Sequence, residues 1–230
     1  MPVYNEGENV VSTLRGLIEH THTRPIEVMV LHDFDEDTTV PVVKRLQSDL
    51  PEVRLLRNNL GRGVLNALKA GLAAARAPYV LVMMGDGSDD PDEIDAMYAL
   101  ANNGADVVAG SRYMRGGQQL GGPLLKRSMS RVAGLTLHFL GGLPIHDATS
   151  NYRMYSKRLL QQVTIESTGG FELGIELTVK AYALGMLVAE VPTTWRDRTA
   201  GQSRFRLWKW LPRYLRWYWV GIGARFKKKA

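Results

Sequence analysis

Apolar and polar positions in the first half of the chain fall into blocks typical of strands and helices in alternation. Short apolar runs have the length of buried strands, and the segments between them repeat apolar residues every three or four positions, as helices do. The predicted strands are 26–33, 52–58, 78–84 and 105–112, and the predicted helices between them are 38–50, 63–75 and 91–104. This alternation predicts an α/β fold in which helices flank a mostly parallel sheet.

The pattern is less regular after residue 111. A glycine-rich loop at 116–123 precedes an apolar helix at 124–142, which carries basic residues near its start. A further helix at 171–185 and a strand at 186–195 follow. The 230 residues are enough for one domain with a substantial core, and we assign that domain to residues 1–205.

The segment 206–230 is predicted to begin with an amphipathic helix at 206–222. At about 100° per residue, its apolar and basic side chains fall on opposite faces, with aromatic residues along one border. The apolar face has Leu207, Leu211, Leu215, Tyr218, Trp219 and Ile222, the basic face has Arg206, Lys209, Arg213 and Arg216, and the border has Trp210, Tyr214 and Trp217. Such a helix is typical of a membrane interface. A helix packed on its own domain would also have an apolar face, but the tryptophan border and the closing lysines favour the membrane.

The charge distribution agrees with that interpretation. The chain has a net charge of +6, but residues 196–230 carry eleven Lys and Arg against one acid, and the rest of the chain has a net charge of −4. A basic block of this kind indicates an anionic partner, either an anionic membrane surface or nucleic acid, and its tryptophans argue against a merely solubilising tail.

The absence of certain residues and segments narrows the function further. The chain has no cysteine, which excludes disulfides, thiolate zinc sites and a cysteine nucleophile. It has neither a secretory signal pattern nor an apolar run long enough to cross a membrane. We therefore expect a cytoplasmic protein that binds peripherally to the cytoplasmic face of the membrane.

Carboxylates follow the strongest predicted strand. The turn GDGSDDP places Asp86, Asp89 and Asp90 directly after the apolar run 78–84. Such acids serve either a polar turn that caps a helix N-terminus or a site for a divalent cation. Because ligands of α/β sheets bind beyond the carboxyl ends of the strands, we expect Asp33 and Asp86 to lie at the same edge.

Six segments occur in an order that is specific to one family: PVYNE, HDFDED, GDGSDDP, GSRYMRGG, DATSNYRMY and EVPTTWRDRTAGQSRF. Together they cover nearly the whole chain, which resembles the family 2 inverting glycosyltransferases and, more closely, their polyprenyl-phosphate branch of dolichol-phosphate mannose synthase relatives. The resemblance implies a fold of glycosyltransferase A type. It also implies transfer of a sugar, with inversion, from a nucleotide-sugar to a dolichyl or undecaprenyl phosphate.

The resemblance assigns the donor side of the site to the first 90 residues. Pro2, Tyr4 and Glu6 correspond to residues that hold the base and ribose, and Asp33 is the further contact in the next acidic cluster. The family's metal motif implies Mg²⁺ or Mn²⁺ bound by Asp86 and Asp89, with Asp86 also at the donor. If Pro91 is aligned with the family's proline, Gly85 and Gly87 occupy the two positions of the usual Asp-x-Asp motif.

The acceptor side is implied to be basic. Arg112, Arg127 and Arg131 lie in the segment that approaches the lipid phosphate in the family, and Arg198 and Arg204 lie in a second phosphate-contact motif. We group Arg112 with Asp86 and Asp89 as catalytic residues; two acids, Asp147 and Glu176, are further acceptor-side candidates. A phosphate acceptor is already ionised at neutral pH, so this chemistry needs no strong general base.

Two other functions remain open from the sequence. A glycosyltransferase that acts on a saccharide hydroxyl would need a general base, and no residue is an obvious candidate. A non-catalytic nucleotide-sugar-binding protein would account for Gly85 and Gly87 in the metal motif. Binding of nucleic acid would explain the basic segment but would leave the acidic turn without a role.

Overall fold

A computed structural model describes the backbone of residues 1–197 and 207–227, and the side chains of residues 1–197 and 210–226. Arg198 and Arg204 lie outside the described residues. The α-helices of the described part are α1 (Asn9–His20), α2 (Thr39–Leu46), α3 (Val64–Ala74), α4 (Ile94–Asn102), α5 (Leu124–Phe139), α6 (Lys157–Gln162), α7 (Leu173–Ala183) and α8 (Leu207–Lys227). The strands are β1 (Val28–His32), β2 (Val53–Arg57), β3 (Tyr79–Val82), β4 (Val107–Ser111), β5 (Gln118–Leu120), β6 (Arg153–Ser156), β7 (Val188–Pro192) and β8 (Thr194–Arg196).

The main sheet has the strand order β3-β6-β4-β7. β4 and β7 are parallel, whereas β6 is antiparallel to both of its neighbours. β1 and β2 form a parallel pair, and β5 and β8 form another. The sequence pattern does not predict β6, because all four of its residues are buried and a strand buried on both faces lacks the alternation by which strands are recognised.

The first three residues connect β1 to the end of β3. The Val3 amide donates to the Leu31 carbonyl at 3.0 Å, and the Leu31 amide donates to the Met1 carbonyl at 2.8 Å. Just after β3, a Cβ on Gly85 would lie 2.7 Å from Val3 Cγ1 and 3.1 Å from the Pro2 carbonyl oxygen. Glycine is therefore needed at 85 for this close approach, which brings the carboxyl ends of β1 and β3 to one edge, as predicted.

Two apolar clusters cover the main sheet on its two faces. Val108 belongs to one cluster, and its neighbours Val107 and Ala109 belong to the other, as the period of two in a strand requires. Helices α1, α2 and α4 contribute to the first cluster, and α3, α5 and α7 contribute to the second. The helices thus bury both faces of the sheet and leave its edge beyond the strand ends for the site.

Helix α8 is built into this domain rather than lying apart from it. Trp217 is buried in the second cluster, and Tyr218 and Ile222 pack against that cluster. These two residues were predicted to belong to an apolar face toward the membrane, whereas Leu215 and Trp219 from the same predicted face are exposed. Among the helices that the structure describes, none is both long and apolar enough to span a bilayer.

Candidate active site

The acidic turn after β3 is organised by its own carboxylates. The Ser88 amide donates to Asp86 Oδ1 at 3.1 Å, and the Met84 amide donates to Asp89 Oδ2 at 3.0 Å. Asp90 caps the short 3₁₀ helix Pro91–Glu93 by accepting from the Asp92 amide. The capped-turn interpretation is therefore correct for Asp90. It does not exclude a cation at Asp86 and Asp89.

Asp89 lies in an electrostatically unusual position. Its side chain is buried, and burial raises the pKa of Asp89 to about 7. The negative charges of Asp86 and Asp147 act in the same direction, whereas the Met84 amide and the Arg112 charge oppose the rise. The predicted donor-side acids and the predicted acceptor-side arginine are thus close enough to act on one carboxylate.

Arg112 is held by a buried ion pair with Asp147. Arg112 Nε lies 2.6 Å from Asp147 Oδ2, and Arg112 Nη2 lies 3.0 Å from Asp147 Oδ1. Arg112 Nη2 also donates to Ser130 Oγ at 3.1 Å and to Thr149 Oγ1 at 3.0 Å. Burial alone would raise the pKa of Asp147, but the charge and hydrogen bonds of Arg112 lower it to about 2. Asp147 is therefore a fixed anion that orients Arg112.

A cavity of about 310 Å³ lies beside this ion pair. The three arginines of residues 110–131 that were predicted to contact the acceptor phosphate, Arg112, Arg127 and Arg131, all line this cavity. The Tyr113 hydroxyl, on the cavity wall, donates to Ser130 Oγ at 2.7 Å and so ties the loop to α5. The lining residues are Arg112, Tyr113, Met114, Gly117, Gln118, Gln119, Leu120, Arg127 and Arg131. Three guanidinium groups around one cavity are suited to a phosphate group.

Strand β8 joins the acidic turn to the loop that lines the cavity. The Arg196 amide donates to the Ser88 carbonyl at 3.0 Å, and Arg196 Nη1 lies 2.8 Å from Asp90 Oδ2. The Tyr152 hydroxyl donates to the Asp90 carbonyl at 2.7 Å. β8 also pairs with β5, whose residues line the cavity. The sequence did not identify Arg196, because it lies in a three-residue strand that no periodic pattern marks.

The predicted donor-side residues at the end of β1 are held by neighbouring loops. Asp33 accepts from Asn58 Nδ2 and from the Gly63 amide, each at 2.8 Å. The Tyr4 ring meets the Phe34 ring edge-on, with centroids 5.5 Å apart. Arg62 stacks over the same Phe34 ring at 4.9 Å. An aromatic and cationic surface of this kind can accept a nucleobase.

Three other predicted residues have local contacts. Pro2 is buried and pairs with Leu31, and the Glu6 amide donates to Thr39 Oγ1 at 3.0 Å. Glu176, an acceptor-side candidate in the sequence, accepts from the amides of Glu166 and Ser167 and is buried in the domain. Its role is therefore to shape that loop.

The residues of the acidic turn fit a divalent cation that is shared with a ligand. No group of three or more His, Asp or Glu side chains suited to a metal occurs in the described part of the chain. Mg²⁺ and Mn²⁺ are commonly held by one or two carboxylates together with substrate phosphates. Asp86 and Asp89 are such a pair. Burial, and to a smaller extent the charge of Asp86, raise the pKa of Asp89 by destabilising its anion, and a cation would stabilise that anion.

Comparison with known proteins gives sequence relatives over most of the chain. The model of glycosyl transferase family 2 matches residues 1–164. A polyprenol monophosphomannose synthase from Mycolicibacterium smegmatis is 31% identical over 210 residues, which cover 89% of this chain and 78% of the relative. An undecaprenyl-phosphate mannosyltransferase from Micrococcus luteus is 28% identical over 209 residues, covering 89% of this chain and 85% of that protein.

Solved structures share the fold at lower identity. Glucosyl-3-phosphoglycerate synthase from Mycobacterium tuberculosis, in complex with uridine diphosphate, has a TM-score of 0.67 at 18% identity, covering 96% of this chain and 78% of that one. A mannosyltransferase from Pyrobaculum calidifontis, in complex with GDP-Man and Mn²⁺, has a TM-score of 0.62 at 16% identity, covering 88% and 56%. These likenesses confirm the predicted glycosyltransferase A type of fold. Since the family model spans residues 1–164 and the 31% identical synthase aligns with 89% of the chain, the protein is a glycosyltransferase and belongs to glycosyl transferase family 2.

Proposed function

We propose that the protein transfers a sugar from a nucleotide-sugar to a polyprenyl phosphate, with inversion at the anomeric carbon. The observation that carries this proposal is the convergence of the acidic turn with the cavity of three arginines. The two lie close together, since the charges of both Asp86 and Arg112 shift the pKa of Asp89, and Arg112 lines the cavity. The names of the two sequence relatives, one a polyprenol monophosphomannose synthase and one an undecaprenyl-phosphate mannosyltransferase, support the choice of acceptor.

On this proposal, the arginines bind and orient the acceptor phosphate. Arg112 is held in place by Asp147, and Arg127 and Arg131 approach the cavity from α5. A phosphate oxygen forms the new bond to the anomeric carbon while the bond to the nucleoside diphosphate breaks on the opposite face of the sugar. The attacking oxygen carries no proton at neutral pH, so alignment and charge stabilisation are the main tasks of the protein.

On the donor side, Asp86 and Asp89 would hold a divalent cation, Mg²⁺ or Mn²⁺. Its chemistry there would be to neutralise the charge of the departing diphosphate. Tyr4 and Asp33 would contact the base or ribose at the end of β1, with Pro2 and Glu6 supporting that segment. Phe34, which the sequence did not single out, would add a second aromatic ring there.

The two alternative functions make different demands on the site. A saccharide hydroxyl as acceptor requires a base; Asp147 does not suit that role, because Arg112 holds its pKa at about 2. Asp89, with a pKa of about 7, has a value that suits a base, so the role of Asp89 decides between these reactions. A non-catalytic binder would hold the nucleotide-sugar without turnover.

The test of the proposed function is a transfer assay. The protein is incubated with a panel of nucleotide-sugars and a short-chain polyprenyl phosphate while Mn²⁺ is titrated from zero. We expect a glycosyl phospholipid product with one donor, and turnover that rises with Mn²⁺. Transfer to a saccharide hydroxyl instead, or binding of a donor without transfer in the whole panel, would overturn the proposal.

Arg127 gives a cleaner test of the acceptor site than Arg112, whose loss would leave Asp147 buried without its partner. We expect Arg127→Gln to raise the KM for the polyprenyl phosphate by about tenfold, the cost of one charge-assisted hydrogen bond, and to leave the KM for the donor unchanged. Arg115→Gln is the matched control, because Arg115 is exposed in the loop that follows β4, near the cavity, but does not line the cavity. Equal changes in both KM values would assign Arg127 to the fold or the donor.

The cellular site is part of the same proposal. A lipid acceptor requires the catalytic domain to reach a membrane, and the basic aromatic segment 206–230 would bind an anionic membrane surface from the cytoplasmic side. In this arrangement the protein is peripheral, and residues 1–205 supply the chemistry.

A further inference from the structure

Glu190 of β7 holds the residue that precedes Asp147 with both of its carboxylate oxygens. Oε2 accepts from the His146 amide at 2.8 Å, and Oε1 accepts from His146 Nδ1 at 2.5 Å. The Glu190 side chain is only 8% exposed, and a buried carboxylate is stable only with such hydrogen-bond donors. Neither residue takes part in the mechanism proposed above, yet the pair adjoins the residue that holds Arg112.

The main sheet fixes the position of Glu190. It lies opposite Ala109, in the middle of the parallel pairing of β4 with β7, and Arg112 directly follows β4. By contrast, residues 143–149, which we call the Asp147 segment, form neither helix nor strand. The position of this segment therefore depends on contacts with its neighbours. Glu190 ties it to the same sheet from which Arg112 extends.

Helix α5 packs closely on the Asp147 segment. A Cβ on Gly134 would lie 2.2 Å from the His146 carbonyl oxygen, so this approach requires glycine. One turn later the His138 ring stacks on the His146 ring, with centroids 4.0 Å apart and planes 26° apart. His138 Nδ1 donates to the Leu143 carbonyl at 2.8 Å, because a carbonyl oxygen can only accept. His146 is thus clamped between Glu190 and α5.

The side of α5 that contacts the Asp147 segment is also the side that carries the arginines. At about 100° per residue, four residues fall within about 60° of one another around the helix. They are Arg127, Arg131, Gly134 and His138. The first two line the cavity, and the last two contact the Asp147 segment. A shift of α5 on that segment would therefore move its arginines relative to Arg112.

We infer that Glu190 is a positioning residue for the acceptor phosphate and acts through His146. By fixing His146, it sets where α5 lies on the Asp147 segment, and so sets the spacing between Arg112 and the two arginines of α5. Guanidinium groups bind one phosphate together only when their spacing matches its oxygens. The inference rests on the proposed function in taking the cavity to bind the acceptor phosphate.

The first test is the KM for a short-chain polyprenyl phosphate in Glu190→Ala. We expect this KM to rise about tenfold, because misplaced arginines lose hydrogen bonds to the phosphate, and the KM for the donor to stay unchanged. Asp106→Ala is the matched control. Asp106 is a buried acid that precedes β4, at the end remote from Arg112, and it pairs with Arg158 and Ser156. This variant should lower the melting temperature but leave both KM values unchanged.

Two substitutions of His146 separate its hydrogen bond to Glu190 from its bulk. The side-chain amide of His146→Asn can still donate to Glu190, whereas His146→Leu keeps a similar size without a donor. We expect His146→Asn to keep the acceptor KM within about twofold of the wild-type value and His146→Leu to raise it as Glu190→Ala does. Equal acceptor KM values for the two variants would mean that the hydrogen bond does not position the arginines.

A double-mutant cycle with Arg127→Gln separates positioning from a general weakening of the fold. If Glu190 acts through the arginines of α5, Arg127→Gln should raise the acceptor KM by only about twofold in the Glu190→Ala background, against about tenfold in the wild type. Circular dichroism establishes that the variants fold, and His146→Leu replaces Glu190→Ala in the cycle if the latter does not.

The outcomes of this cycle are distinct. Additive effects in the folded double variant would overturn the inference, as would an unchanged acceptor KM in Glu190→Ala or an equal rise in its donor KM. Absence of all transfer by the wild type would instead contradict the proposed function.

Discussion

We expect Asp89→Asn to lower turnover by about 100-fold or more in the presence of Mn²⁺, and Asp86→Asn to have a similar effect. Each substitution removes one of the two carboxylates that would hold the cation, and neutralising a departing diphosphate contributes several kcal/mol to catalysis. Initial rates over a range of Mn²⁺ concentrations provide the measurement. Rates in both variants that match the wild type at every Mn²⁺ concentration would remove these residues from the metal site.

The Asp89 substitution also has a distinctive effect on stability. Burial raises the pKa of Asp89 to about 7, whereas an aspartate in an unfolded chain has a pKa of about 4. Ionisation of Asp89 therefore costs stability in the metal-free protein at pH 8; the cost decreases as the pH falls from 7 and is gone below about pH 4, where Asp89 is protonated in both states. Asparagine keeps an acceptor for the Met84 amide without the charge, so we expect Asp89→Asn to be at least as stable as the wild type at pH 8.

The control for both readouts is Asp92→Asn. Asp92 belongs to the same acidic segment, but its side chain is 58% exposed and contacts His20 on the surface. We expect this variant to keep both the turnover and the melting temperature of the wild type. Added Mn²⁺ should raise the melting temperature of the wild type and of Asp92→Asn but not that of Asp89→Asn. A lower stability of metal-free Asp89→Asn at pH 8 would show that the carboxylate is structural.

The sequence predicts most strands and helices of the domain, because the periodicity of apolar residues that identifies them is set by residues close together in the chain. β1, β3 and the helices that follow them are confirmed, and with them the position of the acids at one edge of the sheet. β6 is not predicted, since uniform burial removes its alternation. The faces of α8 are predicted only in part, because helical periodicity distinguishes apolar from basic faces but not an apolar face toward the core from one toward a lipid.

The sequence indicates which residues form the candidate site, but it does not indicate which other residues hold them in place. The resemblance implied a phosphate-binding role for Arg112, but Asp147, which holds it, is 35 residues away in sequence. No local pattern joins two such residues, and their pairing follows from the loops at the end of β4 and before β6. Gly85 illustrates the same limit: the alignment treats it as a changed metal-motif position, whereas the structure gives it a packing role against Val3.

The second large effect that we expect is the loss of stability when the Arg112–Asp147 pair is broken. Both side chains are nearly or fully buried, at 11% and 0% exposure. Removing one partner of a buried ion pair leaves an uncompensated charge and typically costs about 3–5 kcal/mol, whereas replacing both partners by apolar residues costs much less. We therefore expect Asp147→Leu and Arg112→Met to be non-additive, with the double variant more stable than Asp147→Leu alone.

The two single substitutions should differ in how much they lower the stability of the protein. The fully buried Arg153 donates from Nη2 to the Asp147 carbonyl, and Asp147 supplies negative charge near it. Asp147→Leu thus leaves two buried guanidinium groups without that charge. Arg112→Met leaves a carboxylate that still accepts from the Thr149 and Ser150 amides. We expect Asp147→Leu to destabilise the protein more than Arg112→Met does.

Urea unfolding of the wild type, the two single variants and the double variant at pH 7 measures this double-mutant cycle. The pH dependence of the stability provides a second check. The pKa of Asp147 is about 2 in the folded protein and about 4 in an unfolded chain, so its stabilisation is complete above pH 4 and is lost as the pH falls toward 2. The loss amounts to about 2–3 kcal/mol in the wild type and should be smaller in Arg112→Met. As a control, Glu27→Gln at the half-exposed pair with Arg54 should change stability by less than about 1 kcal/mol. Additive single effects, or a larger loss for Arg112→Met than for Asp147→Leu, would mean that Asp147 does not anchor Arg112 at the cavity.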